Sequence, residues 1–171
     1  DFESDRGWTV DPSGDDTATM GTWERADPQG TQHGGLTYQL GTAASGDYNL
    51  VTGALAGGSA GAHDVDGGMT TIRSPNVVLP AGRSLTLSFK YYLAHHDNGT
   101  SDDFLRVKVV GVTTVTVFEE FGAGDYDEAA WEEFTTDVSG FAGQTVYLLI
   151  EAADGREGSL IEAAIDDVVI Q

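Results

Sequence analysis

Leu85-Thr86-Leu87-Ser88-Phe89-Lys90-Tyr91-Tyr92-Leu93 decides the fold. Leu85, Leu87, Phe89, Tyr91 and Leu93 recur at every second position, so on an extended chain they share one apolar face, opposite Thr86, Ser88, Lys90 and Tyr92. Working outward, Phe104-Leu105-Arg106-Val107-Lys108-Val109 and Val115-Thr116-Val117-Phe118 alternate in the same way. They are joined through Gly111, which predicts neighbouring antiparallel strands. Thr145-Val146-Tyr147-Leu148-Leu149-Ile150 is apolar on both faces and fits a strand in the middle of a sandwich. Strands are expected near 7–10, 20–25, 36–40, 47–52, 69–78, 84–95, 103–110, 113–121, 131–136, 144–153 and 160–170. Helical spacing over three turns is lacking, so the chain reads as all-β, with its short runs stacked in two sheets.

The 171 residues form one expected domain, spanning 1–171, with enough chain to fold on an ordinary core. With 28 acidic residues against 8 basic ones and a formal charge of −20, the chain would be repelled by phosphate backbones and anionic membranes. Nucleic acid is thereby excluded as a partner. No apolar run approaches the roughly 18 residues of a membrane span, so a soluble protein without a membrane span is expected. The opening Asp1-Phe2-Glu3 is neither basic nor apolar, and any export signal is expected upstream of it. The sequence contains no cysteine, which excludes disulfides, zinc-thiolate sites and thiol catalysis.

The stretch 54–69 is glycine-rich and reads as a long loop in need of a local organiser. It ends on Asp64-Val65-Asp66-Gly67-Gly68, where alternate carboxylates and flexible glycines suit a hard cation held by oxygen, calcium above all. No glutamate follows at EF-hand spacing, so an EF-hand is rejected, and a solvated acidic loop stays open beside the metal reading. Glu3, Asp47 and the pair Asp166-Asp167 are further acidic candidates. Asp166 and Asp167 interrupt the apolar run Ala164-Ile165-Asp166-Asp167-Val168-Val169-Ile170, so at least one of them occupies a position that is costly unless neutralised. A metal, an arginine partner or a cap on a sheet edge would each serve.

Asp1-Phe2-Glu3-Ser4-Asp5-Arg6-Gly7-Trp8 and Ala164-Ile165-Asp166-Asp167-Val168 resemble the two ends of MAM domains and related calcium-binding jelly rolls. Between them, Ser74-Pro75 followed by an apolar stretch and Leu85-Thr86-Leu87-Ser88-Phe89 resembles the family's middle. Trp23-Glu24-Arg25-Ala26-Asp27-Pro28, Asp64-Val65-Asp66-Gly67-Gly68 and Phe141-Ala142-Gly143-Gln144-Thr145-Val146 are most similar to the C-terminal accessory domain of secreted bacterial zinc carboxypeptidases and related exported hydrolases. The resemblance spans the whole chain. It implies an antiparallel jelly-roll β-sandwich of the galactose-binding-like type, secreted, with a structural Ca2+ near the junction of the terminal strands. By position Glu3 and Asp166 would hold the ion, with Asp47, Asp64 and Asp66 as further ligands. MAM domains of vertebrates carry disulfides and this chain does not, which departs from their adhesive role.

Catalytic motifs are weak. Gly57-Gly58-Ser59-Ala60-Gly61 has the letters of a nucleophile elbow without the strand and helix that the elbow requires. His95-His96 would point to opposite sides of an extended chain, and His33 and His63 are distant in sequence. Glu119-Glu120 and Glu132-Glu133 admit a glycosidase-like pair, though their spacing equally suits a charged outer face. The chain is therefore expected not to be an enzyme. Trp8 and Trp23 are expected in the core. Tyr92, on the less apolar face of its strand, and Tyr126, in the loop Gly124-Asp125-Tyr126-Asp127, are the expected stacking surfaces for a polysaccharide or cell-surface ligand. Two functions are consistent with these features. One is a monomeric accessory module covalently joined to a parent hydrolase; the other is an adhesion domain meeting protein partners through calcium-ordered loops.

Overall fold

The computed structural model describes residues 1–155 and 158–171. In chain order the strands are β1 (Thr9–Val10), β2 (Trp23–Ala26), β3 (Thr31–His33), β4 (Leu36–Gln39), β5 (Asn49–Thr52), β6 (Gly68–Arg73), β7 (Val77–Val78), β8 (Thr86–His95), β9 (Phe104–Val110), β10 (Thr114–Phe121), β11 (Glu132–Asp137), β12 (Thr145–Asp154) and β13 (Ile161–Ile170). One sheet runs β1-β6-β12-β9-β10, with β7 also paired to β12, and the other runs β11-β8-β13-β5-β2. Every pairing is antiparallel. The result is a two-sheet jelly-roll β-sandwich, in which β12 is central to its sheet as its two apolar faces require.

The core lies between the sheets. Leu87, Phe89, Tyr91 and Leu93 of β8 and Ile161, Ala163 and Ile165 of β13 meet Leu105 and Val107 of β9 and Leu148 and Ile150 of β12. Phe118 and Phe134 pack on Phe89 at 5.5 and 5.3 Å between ring centres, which closes this layer at one side. Trp23 is buried in the same core, whereas Trp8 is half-buried with its ring 5.5 Å from that of Phe2.

A second layer covers the outer face of the β8-β13-β5 sheet. Tyr38, Leu36 and Leu40, from the segment that carries β3 and β4, pack with Ala129 and Trp131 over Tyr92, Ala94, Ala164 and Val51. This layer corrects the expectation for Tyr92. Its ring is 2% exposed and lies 5.1 Å from that of Trp131, so it is no stacking surface. Alternation correctly put Tyr92 on the face away from the main core, but a second apolar layer lies over that face.

Candidate functional site

The last strand carries the acids that matter. Between Asp166 and Val169 the β13–β8 register shifts by a bulge, and Asp167 has φ of 51°. The bulge gives the consecutive aspartates different surroundings. Asp166 is 0% exposed and its Oδ2 accepts the N–H groups of Ala44 and Ser45, both at 3.0 Å. Asp167 accepts the Ser45 hydroxyl and forms an ion pair with Lys90 at 3.4 Å. Burial raises the Asp166 carboxyl above its usual range, opposed by the amides of Ser45 and Asp167.

Glu3 reaches the same loop from the other end of the chain. Its Oε1 accepts the N–H groups of Asp47 and Tyr48, each at 2.9 Å. Gly46 separates the two sets of amides at φ of +68°, and a Cβ there would stand 2.3 Å from the Glu3 carboxyl carbon. Glycine is therefore what admits the Glu3 side chain. Arg25 fixes the approach of the first strand by donating to the Phe2 carbonyl at 2.5 Å and stacking over Tyr48 at 4.1 Å. At the start of β5, Asn49 is fully buried with neither Oδ1 nor Nδ2 hydrogen-bonded. Asn49 is on the same face of β5 as Val51, which pairs with Ala164, so it lies beside Asp166 across the strands. Two carboxylates and an orphaned amide oxygen are hard donors that fit a calcium ion. A lone asparagine in an apolar strand gave no sequence signal for this.

Asp64 and Asp66 lie elsewhere. Asp64 Oδ2 accepts the Ile161 N–H at 3.3 Å, and Val65 donates to the Ile161 carbonyl at 2.9 Å. This fixes the Asp64-Val65-Asp66 motif to the beginning of β13, about 16 Å from Asp166 at ~3.3 Å per residue. The structure thus brings Glu3, the Asp47 backbone and Asp166 to one loop, and sets Asp64 and Asp66 apart from them. Among the described residues, the trio whose carboxylate oxygens lie within 4.8 Å of one another is Asp11, Asp15 and Asp16, which the sequence motifs do not single out. Asp11 Oδ1 accepts the N–H groups of Asp15 and Asp16, and Asp16 accepts from Thr71. These bonds fold the loop onto β6.

A concave surface forms at the other end of the outer layer. Tyr126 is 55% exposed, its hydroxyl donates to Asp97 at 2.8 Å, and its ring stands edge-on to His96 at 4.8 Å. His96 in turn meets His33 at 5.4 Å. His33 and His96 line a cavity of about 300 Å³ together with Ser59, Ala60, Asn98 and Leu160. Ser59 precedes a single 3-10 turn at Ala60–Ala62, so no strand-to-helix elbow is present there. Of the Glu119-Glu120 and Glu132-Glu133 pairs, Glu120 and Glu132 come together at Tyr91. Glu119 pairs with Arg106, whereas Tyr91 donates to Glu132 at 3.0 Å beside Glu120, whose carboxyl is raised by burial. The hollow lined by Glu120, Asp127 and Glu132 is about 10 Å³, too small for a sugar between acid and base.

No family model and no curated protein matches this sequence. Its fold is similar to solved structures. The K1 cleaved adhesin domain of Lys-gingipain from Porphyromonas gingivalis aligns with a TM-score of 0.56 at 16% identity, over 96% of this chain and 89% of that one. A structure described as showing the promiscuous specificity of carbohydrate-binding modules from the β-sandwich superfamily aligns at 0.54 and 14%, over 100% of this chain and 60% of that one. The CBM22-1 and GH10 modules of a Clostridium thermocellum endo-xylanase, complexed with xylohexaose, align at 0.53 and 14%, over 99% of this chain and 27% of that one. The neighbours are β-sandwich adhesin and carbohydrate-binding modules, and at these identities they establish the fold alone.

Proposed function

We propose that this chain is a non-catalytic binding module of an exported bacterial hydrolase, a peptidase by the sequence resemblance, which takes neutral polysaccharide or cell-surface glycan. The observation that carries this reading is the row of rings from Tyr126 through His96 to His33, the last two lining the 300 Å³ cavity. An exposed ring beside imidazole, amide and hydroxyl groups offers a pyranose both a stacking face and hydrogen bonds. The formal charge of −20 favours neutral over acidic glycans. Adhesin and carbohydrate-binding modules of the same fold support the assignment. Calcium held by Glu3, Asp166 and Asn49 would act structurally, tying the first residues and the last strand to the 44–48 loop.

Affinity electrophoresis through gels containing neutral polysaccharides tests the reading. The wild-type chain is retarded by at least one of them, and Tyr126→Ala migrates freely while its melting temperature is unchanged. Equal retardation of the two proteins, or none for the wild type across neutral plant, fungal and bacterial polysaccharides, refutes it.

A further inference from the structure

The Asp64-Val65-Asp66 motif is not used by the Glu3–Asp166 clamp, yet it lies against a second deeply buried carboxylate at the other end of β13. Glu162 follows Ile161 at the start of β13, opposite Ala94 of β8. It is 1% exposed and its Oε2 has no hydrogen-bond partner. Asp64, itself buried, accepts the N–H of Ile161 one residue before Glu162, and its negative charge adds to burial in raising the Glu162 carboxyl, as Asp66 adds to burial in raising Asp64. Among the described residues no salt bridge reaches either carboxylate. Tyr92 lies diagonally across the same face, since its partner is Ala164, and its buried hydroxyl is unpartnered too.

Two buried carboxylates without a counter-charge are costly in their ionised form, and either protons or a cation between them would relieve that cost. We infer that Asp64 and Glu162 hold a second hard divalent cation, of the calcium class, which fastens the glycine-rich 54–67 loop to the beginning of the last strand. The two side chains supply up to four oxygens and the matching charge, with the Tyr92 hydroxyl placed as a further donor. Magnesium fits less well, because it keeps several waters in strict octahedral geometry and this position is closed to solvent. The ion would serve the long loop as its organiser, and that loop carries Ser59 and Ala60 of the glycan cavity. This site stands independently of the Glu3–Asp166 clamp.

Native mass spectrometry of the whole chain after equilibration with calcium counts the ions directly. The expected counts are two for wild type, one for Glu162→Gln, one for Glu3→Gln and none for the double variant. Asp64→Asn, which changes the loop rather than the strand, must give the same count as Glu162→Gln. A Glu162→Gln or Asp64→Asn protein that retains the wild-type count overturns the proposal, and so does a wild-type count of one that falls to zero in Glu3→Gln. In that last case the clamp survives; a single ion lost in Glu162→Gln and kept in Glu3→Gln would sink the clamp and leave this site standing.

Discussion

Replacing Gly46 by alanine tests the 44–48 loop at its tightest point. A side chain at φ of +68° costs about 1–2 kcal/mol by itself. The new Cβ would also stand 2.3 Å from the Glu3 carboxyl carbon, so Glu3 must withdraw and release the amides of Asp47 and Tyr48. Bonds to a charged acceptor contribute ~1.5–3 kcal/mol each when buried, and about half of that or less at an exposed residue such as Glu3. The combined loss is about 2–4 kcal/mol, which for a chain of this length lowers Tm by roughly 5–12 °C. Thermal melts of Gly46→Ala, Glu3→Ala and the double variant in EDTA apportion it. With Glu3 already removed, Gly46→Ala should cost only the ~1–2 kcal/mol of backbone strain. Equal cost in both backgrounds would show that Gly46 does not act by making room for Glu3. Repeated with calcium at a hundredfold excess over its Kd, the wild-type protein gains about 2.7 kcal/mol from an ion at this loop. Gly46→Ala gains much less there, since one ligand has been pushed out.

Tyr92→Ala should lower stability by about 3–5 kcal/mol in denaturant melts, as expected for an aromatic ring removed from the Tyr38–Trp131 layer; a loss below ~1 kcal/mol would mean that layer is not packed as described. The Asp64 carboxyl is pushed up to about 7 by burial first and by Asp66 second, so the folded chain binds this proton more tightly than the unfolded one. Its contribution to stability is complete below about pH 4 and is lost as pH rises through 7. Melts in EDTA from pH 4 to pH 8 should therefore show a decline that Asp64→Asn flattens, and an unchanged decline in that variant would assign the proton elsewhere.

Much of the sandwich was legible because alternation is a local property. The inward set from Leu87 to Leu93 needs no knowledge of its partners, and the Gly111 hairpin announces the pairing of β9 with β10. The sequence run 69–78 reads as one strand, yet β6 ends at Arg73 because Pro75 lacks an amide hydrogen, and β7 resumes two residues later. Thr31-Gln32-His33 is too short and polar to show a period, so β3 carries no signal of its own, and neither does the layer that buries Tyr92. For the acids, sequence could propose donors without measuring the distances between them. Glu3 and Asp166 meet through the 44–48 loop, whereas Asp64 belongs with Glu162, a glutamate that in the sequence sits unremarkably within an apolar strand.

The bulge at Asp167 also sets the phase of the residues beyond it. Val169 faces Ser88 and Ile170 faces Leu87 only because three steps along β13 match two along β8. Straightening the bulge with every residue kept would set Val169 opposite Leu87 and Ile170 opposite Thr86, exchanging inside for outside at the chain's end and turning Ile170 to the outer face. One aspartate in a left-handed conformation thus keeps the surplus residue out of the ladder, so a β-branched substitute that resists that conformation would disturb the strand's end more than removal of the residue, which leaves Val169 and Ile170 on their partners.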